Sequence, residues 1–163
     1  MAPEITVETV ASKLVAGVDF STTFASLPQD MSEAIGTLQS ETAKAAMQIS
    51  GPVMAVYTDE MHPDRPWNCE VCVGIAEAFT EHPVLRSHEL AGGTVATLTH
   101  HGAYSGLKGS YDAMFEWFSA NGHTYAGPPR EIYLNSPDEV APDELLTRLE
   151  FPVVLASTER RGD

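Results

Sequence analysis

Two apolar periodicities take turns along this 163-residue chain, and the order in which they do so occurs twice. The segment ETVASKLVAG (8–17) reads as a turn followed by an apolar strand, and residues 28–48 then carry Met31, Ile35 and Leu38 at helical spacing. Pro28 suits the first turn of that helix, and Gly51-Pro52 stands beyond its end. GPVMAVYTDE (51–60) and CEVCVGI (69–75) return to strand character, with Val71, Val73 and Ile75 alternating. After a connector, AEAFTEHP (76–83), the order repeats: turn and strand in ELAGGTVATL (89–98), then a helix in LKGSYDAMFEWFSANG (107–122). There Leu107, Tyr111, Met114, Phe115 and Phe118 form a stripe, and Asn121-Gly122 supplies the stop. GPPREIYLNS (127–136) and TRLEFPV (147–153) close the second half as strands.

The two closing segments align directly: Gly-Pro opens both GPVMAVYTDE and GPPREIYLNS, and Tyr57 matches Tyr133 at an offset of 127 − 51 = 76. The opening segments align at 89 − 8 = 81, so five extra residues belong to the first half. Placed in its helix, they predict one longer by more than a turn of about 3.6 residues. The expectation is one α+β domain over 1–163 built from two pseudo-symmetric β-α-β-β repeats, about 4–75 and 84–156, with the connector at 76–83 and a frayed tail at 157–163. An antiparallel sheet would carry both helices on one side, and a central ligand cleft would lie between the halves.

Charge narrows the partners. Nine Lys and Arg against 23 Asp and Glu give a net charge of −14, which repels phosphate backbones and anionic membranes, so nucleic acid and membrane are not expected partners. No segment approaches the roughly 20 apolar residues of a membrane span, and MAPEITVETV has neither the basic nor the apolar region of a secretory signal, so a cytoplasmic protein is expected. Cys69 and Cys72 form one CxxC, but positions three apart on a strand face opposite ways, which argues against joint metal or redox use. His100 and His101, adjacent on a strand, are likewise split between faces. Neither a metal nor a cofactor is expected.

One residue breaks the apolar pattern. Alternation puts Glu131 and Tyr133 on one strand face and Ile132 and Leu134 on the other, leaving a carboxylate where a core residue belongs. In the first repeat the equivalent position is Ala55. HGAYSGL (101–107), the helix after it, GPPREIYLNSPDEVAPDELLTRLEFPV (127–153), and GPVMAVYTDE with EVCVGI together resemble the GyrI-like small-molecule-binding family. That family also occurs as the effector-binding domain of multidrug-responsive regulators and is related in fold to SOUL haem-binding proteins. The resemblance covers nearly the whole chain. It implies an aromatic-lined cleft with Glu131 at its floor and Tyr133 beside it. The first half has VDFST (18–22) where the second has HGAYS (101–105), which predicts a rim without the aromatic corner. No helix-turn-helix is visible, which predicts the binding domain alone.

Three roles for the acid follow. It could pair structurally with Arg130 or Arg148, although Arg130 should face the other way along its own strand. It could supply the countercharge for a hydrophobic aromatic or cationic small molecule held by Tyr57, Trp67, Tyr104 and Tyr133. Or, as the resemblance implies for some members, Glu131 and Tyr133 could be catalytic in a cofactor-independent hydrolase of strained electrophiles such as cyclopropane-containing DNA-alkylating compounds. Spacing assigns Tyr111, Phe115 and Phe118 to core packing in each case. The family's name adds a further partner, a topoisomerase-like protein that the domain would inhibit.

Overall fold

Among residues 4–156, which a computed structural model describes, there are nine strands and two α-helices. They are β1 (Thr6–Val10), β2 (Lys13–Thr22), α1 (Leu27–Lys44), β3 (Ile49–Val56), β4 (Trp67–Ile75), β5 (Arg86–Leu90), β6 (Gly93–His101), α2 (Leu107–Asn121), β7 (Thr124–Tyr125), β8 (Arg130–Tyr133) and β9 (Leu146–Val154). The strands form one curled antiparallel sheet in the order β1-β6-β9-β8-β3-β4-β2-β5, with the short β7 added to β9. The tail expected at 157–163 lies outside the described residues. Among those residues no helix is long and apolar enough to cross a membrane.

From the β3–β8 seam outward, β3, β4 and β2 follow on one side and β8, β9 and β6 on the other. The outer edges are exchanged: β5 pairs with β2, and β1 pairs with β6. Each half therefore opens with a strand that the β-α-β-β expectation leaves out. Both are edge strands without a fully buried residue, so burial stamps little apolar pattern on them. The helices differ by 18 − 15 = 3 residues, less than the full turn expected, and α1 ends at Lys44, just before Ala46 turns left-handed with φ 53°.

Register fixes which residues share a face. Ala55 lies opposite Glu131, Glu131 opposite Leu149, and Leu149 opposite Leu98, so all four point the same way. Both helices pack on that face: Ala34 and Leu38 of α1 against Ala16, Val71 and Val73, and Met114 and Phe118 of α2 against Leu98, Leu149 and Phe151. The opposite face gathers Val15, Met54, Val56, Cys72 and Ile132. Arg130 points there too, where its Nη2 donates to the Ala91 carbonyl (2.7 Å) and its Nη1 lies 3.7 Å from Glu150.

Cys69 and Cys72 consequently belong to different clusters on either side of the sheet. Both are buried, and burial pushes each thiol up to about 12. Since the thiolate is the reactive species, native protein at pH 8 should leave both unlabelled by a disulfide reagent such as DTNB, and denatured protein should release two equivalents. Fast labelling without denaturant would mean that β4, a central strand, opens readily.

Candidate functional site

An open cleft of about 2510 Å³ runs between α1 and α2 above the β3–β8 seam, and Glu131 lies in its floor at 5% exposure. Three tyrosine hydroxyls donate to this carboxylate: Tyr111 at 2.5 Å and Tyr57 at 3.0 Å to Oε2, and Tyr133 at 2.8 Å to Oε1. Each reaches it by a different route. Tyr133 is two residues along the same strand and so shares its face, while Tyr57 follows β3 directly, its amide held by the Pro129 carbonyl at 3.0 Å. Tyr111 descends from α2.

Hydrogen bonds to an ionised acceptor are short and strong, and they offset much of the cost of keeping a carboxylate out of water. They bring no positive charge. Among the described residues none of the ion pairs involves Glu131. The structural pairing with Arg130 or Arg148 does not form: Arg130 is on the other face, and Arg148 Nε donates to Glu150 at 2.8 Å and its Nη2 lies 3.4 Å from Glu8. Burial, and next the charge on Glu131, push the Tyr57, Tyr111 and Tyr133 hydroxyls above their ordinary range, so all three stay protonated as donors.

Tyr104 forms the rim. It starts the 3-10 turn Tyr104–Gly106 ahead of α2, and its ring meets Tyr133 edge-on, with centroids 5.9 Å apart at 70°. His100 fixes this corner: its Nε2 lies 2.9 Å from the Ala103 carbonyl, and its Nδ1 lies 2.8 Å from Ser110 Oγ. A carbonyl can only accept, so Nε2 carries the proton.

Three expectations are corrected here. Trp67, expected against the ligand, is 1% exposed, and Phe24 and Tyr57, which pack on its ring at 5.6 and 6.1 Å, face the cleft in its place. Tyr111 and Phe115, expected in the core, line the cleft, whereas Phe118 is buried as its spacing requires. The rim beside α1 is not without an aromatic, because Phe24 precedes Leu27 by three residues just as Tyr104 precedes Leu107, and it is 52% exposed. The signal for Tyr111 was its hydroxyl: a tyrosine on an otherwise apolar helix face needs a hydrogen-bond partner.

Antiparallel sheet, two helices on one face and an open cleft between them define an α+β small-molecule-binding domain. The chain belongs to the family of GyrI-like small molecule binding domains, whose model matches residues 3–154. Its fold is shared with the C-terminal domain of EcmrR (TM-score 0.83, 20% identity, covering 96% of this chain and 100% of that one). Against EcmrR in its cryo-EM complex with DNA the TM-score is 0.85 at 19% identity, covering 96% of this chain but only 59% of that one. A hydrolase from Listeria innocua (TM-score 0.62, 13% identity, 94% of each chain) and SAV2435 bound to tetraphenylphosphonium (TM-score 0.63, 12% identity, 93% of this chain and 94% of that one) also share it. No curated protein matches the chain by sequence.

Proposed function

We propose that this chain captures hydrophobic aromatic cations in the cleft, with Glu131 as countercharge. The observation that carries this reading is a buried carboxylate satisfied by three neutral hydroxyls and, among the described residues, by no cation. A ligand that delivers one positive charge completes the site electrostatically, and the faces of Tyr57, Tyr104, Tyr111 and Tyr133 add cation–π attraction of about 0.5–2 kcal/mol each. Several such contacts reach micromolar affinity without a unique ligand shape. SAV2435, seen with the cation tetraphenylphosphonium, supports the reading by its fold. The exchanged edge strands support two duplicated halves, now β-β-α-β-β units, whose seam becomes the binding site. Such a domain would sense or buffer toxic compounds.

A second reading is favoured by the hydroxyls themselves and by the hydrolase of like fold. Glu131 would take a proton from water as the water oxygen bonds to a strained ring carbon; the ring carbon–carbon bond breaks, and its electron pair passes to a conjugated carbonyl oxygen to which a tyrosine hydroxyl donates. Native mass spectrometry of the protein with cationic aromatics, neutral aromatics of matched size and cyclopropane electrophiles separates the two. Retention of unmodified cations over their neutral counterparts is expected. Repeated addition of water to the electrophile would make the chain an enzyme, and equal retention of neutral and charged compounds would sink the countercharge.

A further inference from the structure

The two walls of the cleft differ in kind at positions that correspond in the fold. Four and eight residues after its first residue, α1 presents Met31 and Ile35; at the same places (31 − 27 = 111 − 107 and 35 − 27 = 115 − 107) α2 presents Tyr111 and Phe115. The floor repeats the contrast. Two residues beyond the strand partner of Ala55 stands Val73, and two beyond the partner of Glu131 stands Phe151. Each exchange runs from aliphatic on the α1 side to aromatic on the α2 side.

The aromatic half is built as a box. Phe151 meets Tyr111 at 5.7 Å and 67° and Phe115 at 5.8 Å and 84°, while Tyr125 stands at 6.4 Å and 78° from Phe115. Phe115 and Tyr125 are 46% and 54% exposed, which leaves ring surface for a flat guest. On the other side Met31, Ile35 and Val53 pack with the cluster under α1 and form an aliphatic wall, with Phe24 standing at its rim. Such a wall suits a flexible chain, and a methionine adapts to one readily. Glu131 lies beside the seam of the two halves, on β8 next to β3. The cleft also exceeds the roughly 300–1,000 Å³ of an ordinary small-molecule site, so a ligand with a single apolar lobe fills only one half.

Resting on the cation reading, we infer that the preferred ligand class is an unsymmetrical amphiphilic cation. Its ammonium lies over Glu131, an aryl group enters the half lined by Phe115, Tyr125 and Phe151, and an alkyl chain runs along Met31 and Ile35. Selectivity is then set by which lobe a compound carries, with the charge common to all.

The test compares three ammonium ions by isothermal titration calorimetry, each below its micellar concentration: benzyltrimethylammonium, octyltrimethylammonium and benzyldimethyloctylammonium. The wild-type protein should bind the third at least about tenfold more tightly than either of the others. Phe115→Leu should weaken both benzyl compounds by roughly threefold to tenfold and leave octyltrimethylammonium unchanged. Ile35→Ser should weaken only the two octyl compounds, with Met31→Ala as the substitute if that variant does not fold. The inference is overturned if each variant weakens all three ions alike, or if the two-lobed ion binds no better than its halves while Glu131→Gln still abolishes binding. Should no ion bind the wild type, or Glu131→Gln bind them all as well as the wild type does, the cation reading itself fails and takes this one with it.

Discussion

Glu131→Gln is expected to lower affinity for cationic aromatics by about 30- to 1,000-fold while leaving the protein as stable as the wild type or more so. Losing one member of a desolvated charge pair costs about 2–4 kcal/mol of binding, which gives that range. The fold has no such dependence on the charge. Glutamine has the same shape, its carbonyl accepts tyrosine hydroxyls, and its amide can donate to a hydroxyl that has turned around. The variant also relieves the domain of a carboxyl group at 5% exposure that has no cationic partner among the described residues. Glu131→Ala should behave differently, because it strips the acceptor from Tyr57, Tyr111 and Tyr133 together. Allowing for water entering the cleft in its place, a loss of about 2–4 kcal/mol of stability is expected. Calorimetric titration with tetraphenylphosphonium and a neutral tetraphenyl analogue, beside thermal melts of both variants, checks both halves. A glutamine variant that loses the neutral compound equally would show that the carboxylate shapes the cleft and does not balance charge; one that melts as early as the alanine variant would show a structural role.

Sequence reasoning located this acid because strand alternation is a local rule: Glu131 and Tyr133 had to share a face, and Arg130 had to leave it. The apolar strands and both helices were legible for the same reason, since burial stamps a period on the residues that undergo it. The rest of the site was out of reach of any local rule. Tyr111 and Phe118 belong to one apolar stripe, and only the packing of α2 over β6 and β9 decides that the first reaches a carboxylate on β8 while the second meets Leu149 and Phe151. Trp67 reads as a ligand platform by composition, yet Phe24, brought over it by the start of α1, takes the exposed place. The edge strands β1 and β5 escaped because pairing with the opposite half confers hydrogen bonds without burial. The exchange they make is visible only in the strand order.

That exchange makes Gly92→Ala a substitution expected to cost about 3–5 kcal/mol in stability, or roughly 10 °C in melting temperature for a domain of this size. Because β1 and β5 each cross to the other half, the turns that follow them must pass each other, and they touch at Gly92. A Cβ there would stand 2.4 Å from the Val10 carbonyl oxygen and 2.5 Å from the backbone of Ala11 and Ser12. Backbone cannot rotate aside as a side chain can, so one turn has to move. Movement would break the bond from the Gly92 amide to Ser12 Oγ (3.1 Å) and disturb Ala91, whose carbonyl accepts from the buried Arg130. Arg130 in turn belongs to β8, the strand that carries Glu131, so the damage should reach the site: ligand affinity should fall in Gly92→Ala even at temperatures where the variant remains folded. Gly109→Ala is the control, an exposed position in α2 with nothing within 4 Å of an added Cβ. There the change should raise stability by about 0.5–1 kcal/mol through helix propensity alone. Thermal melts of the two variants, read beside the wild type, should therefore move in opposite directions. A Gly92→Ala protein that melts with the wild type would mean that the two turns do not press on each other and that the crossing can loosen without loss.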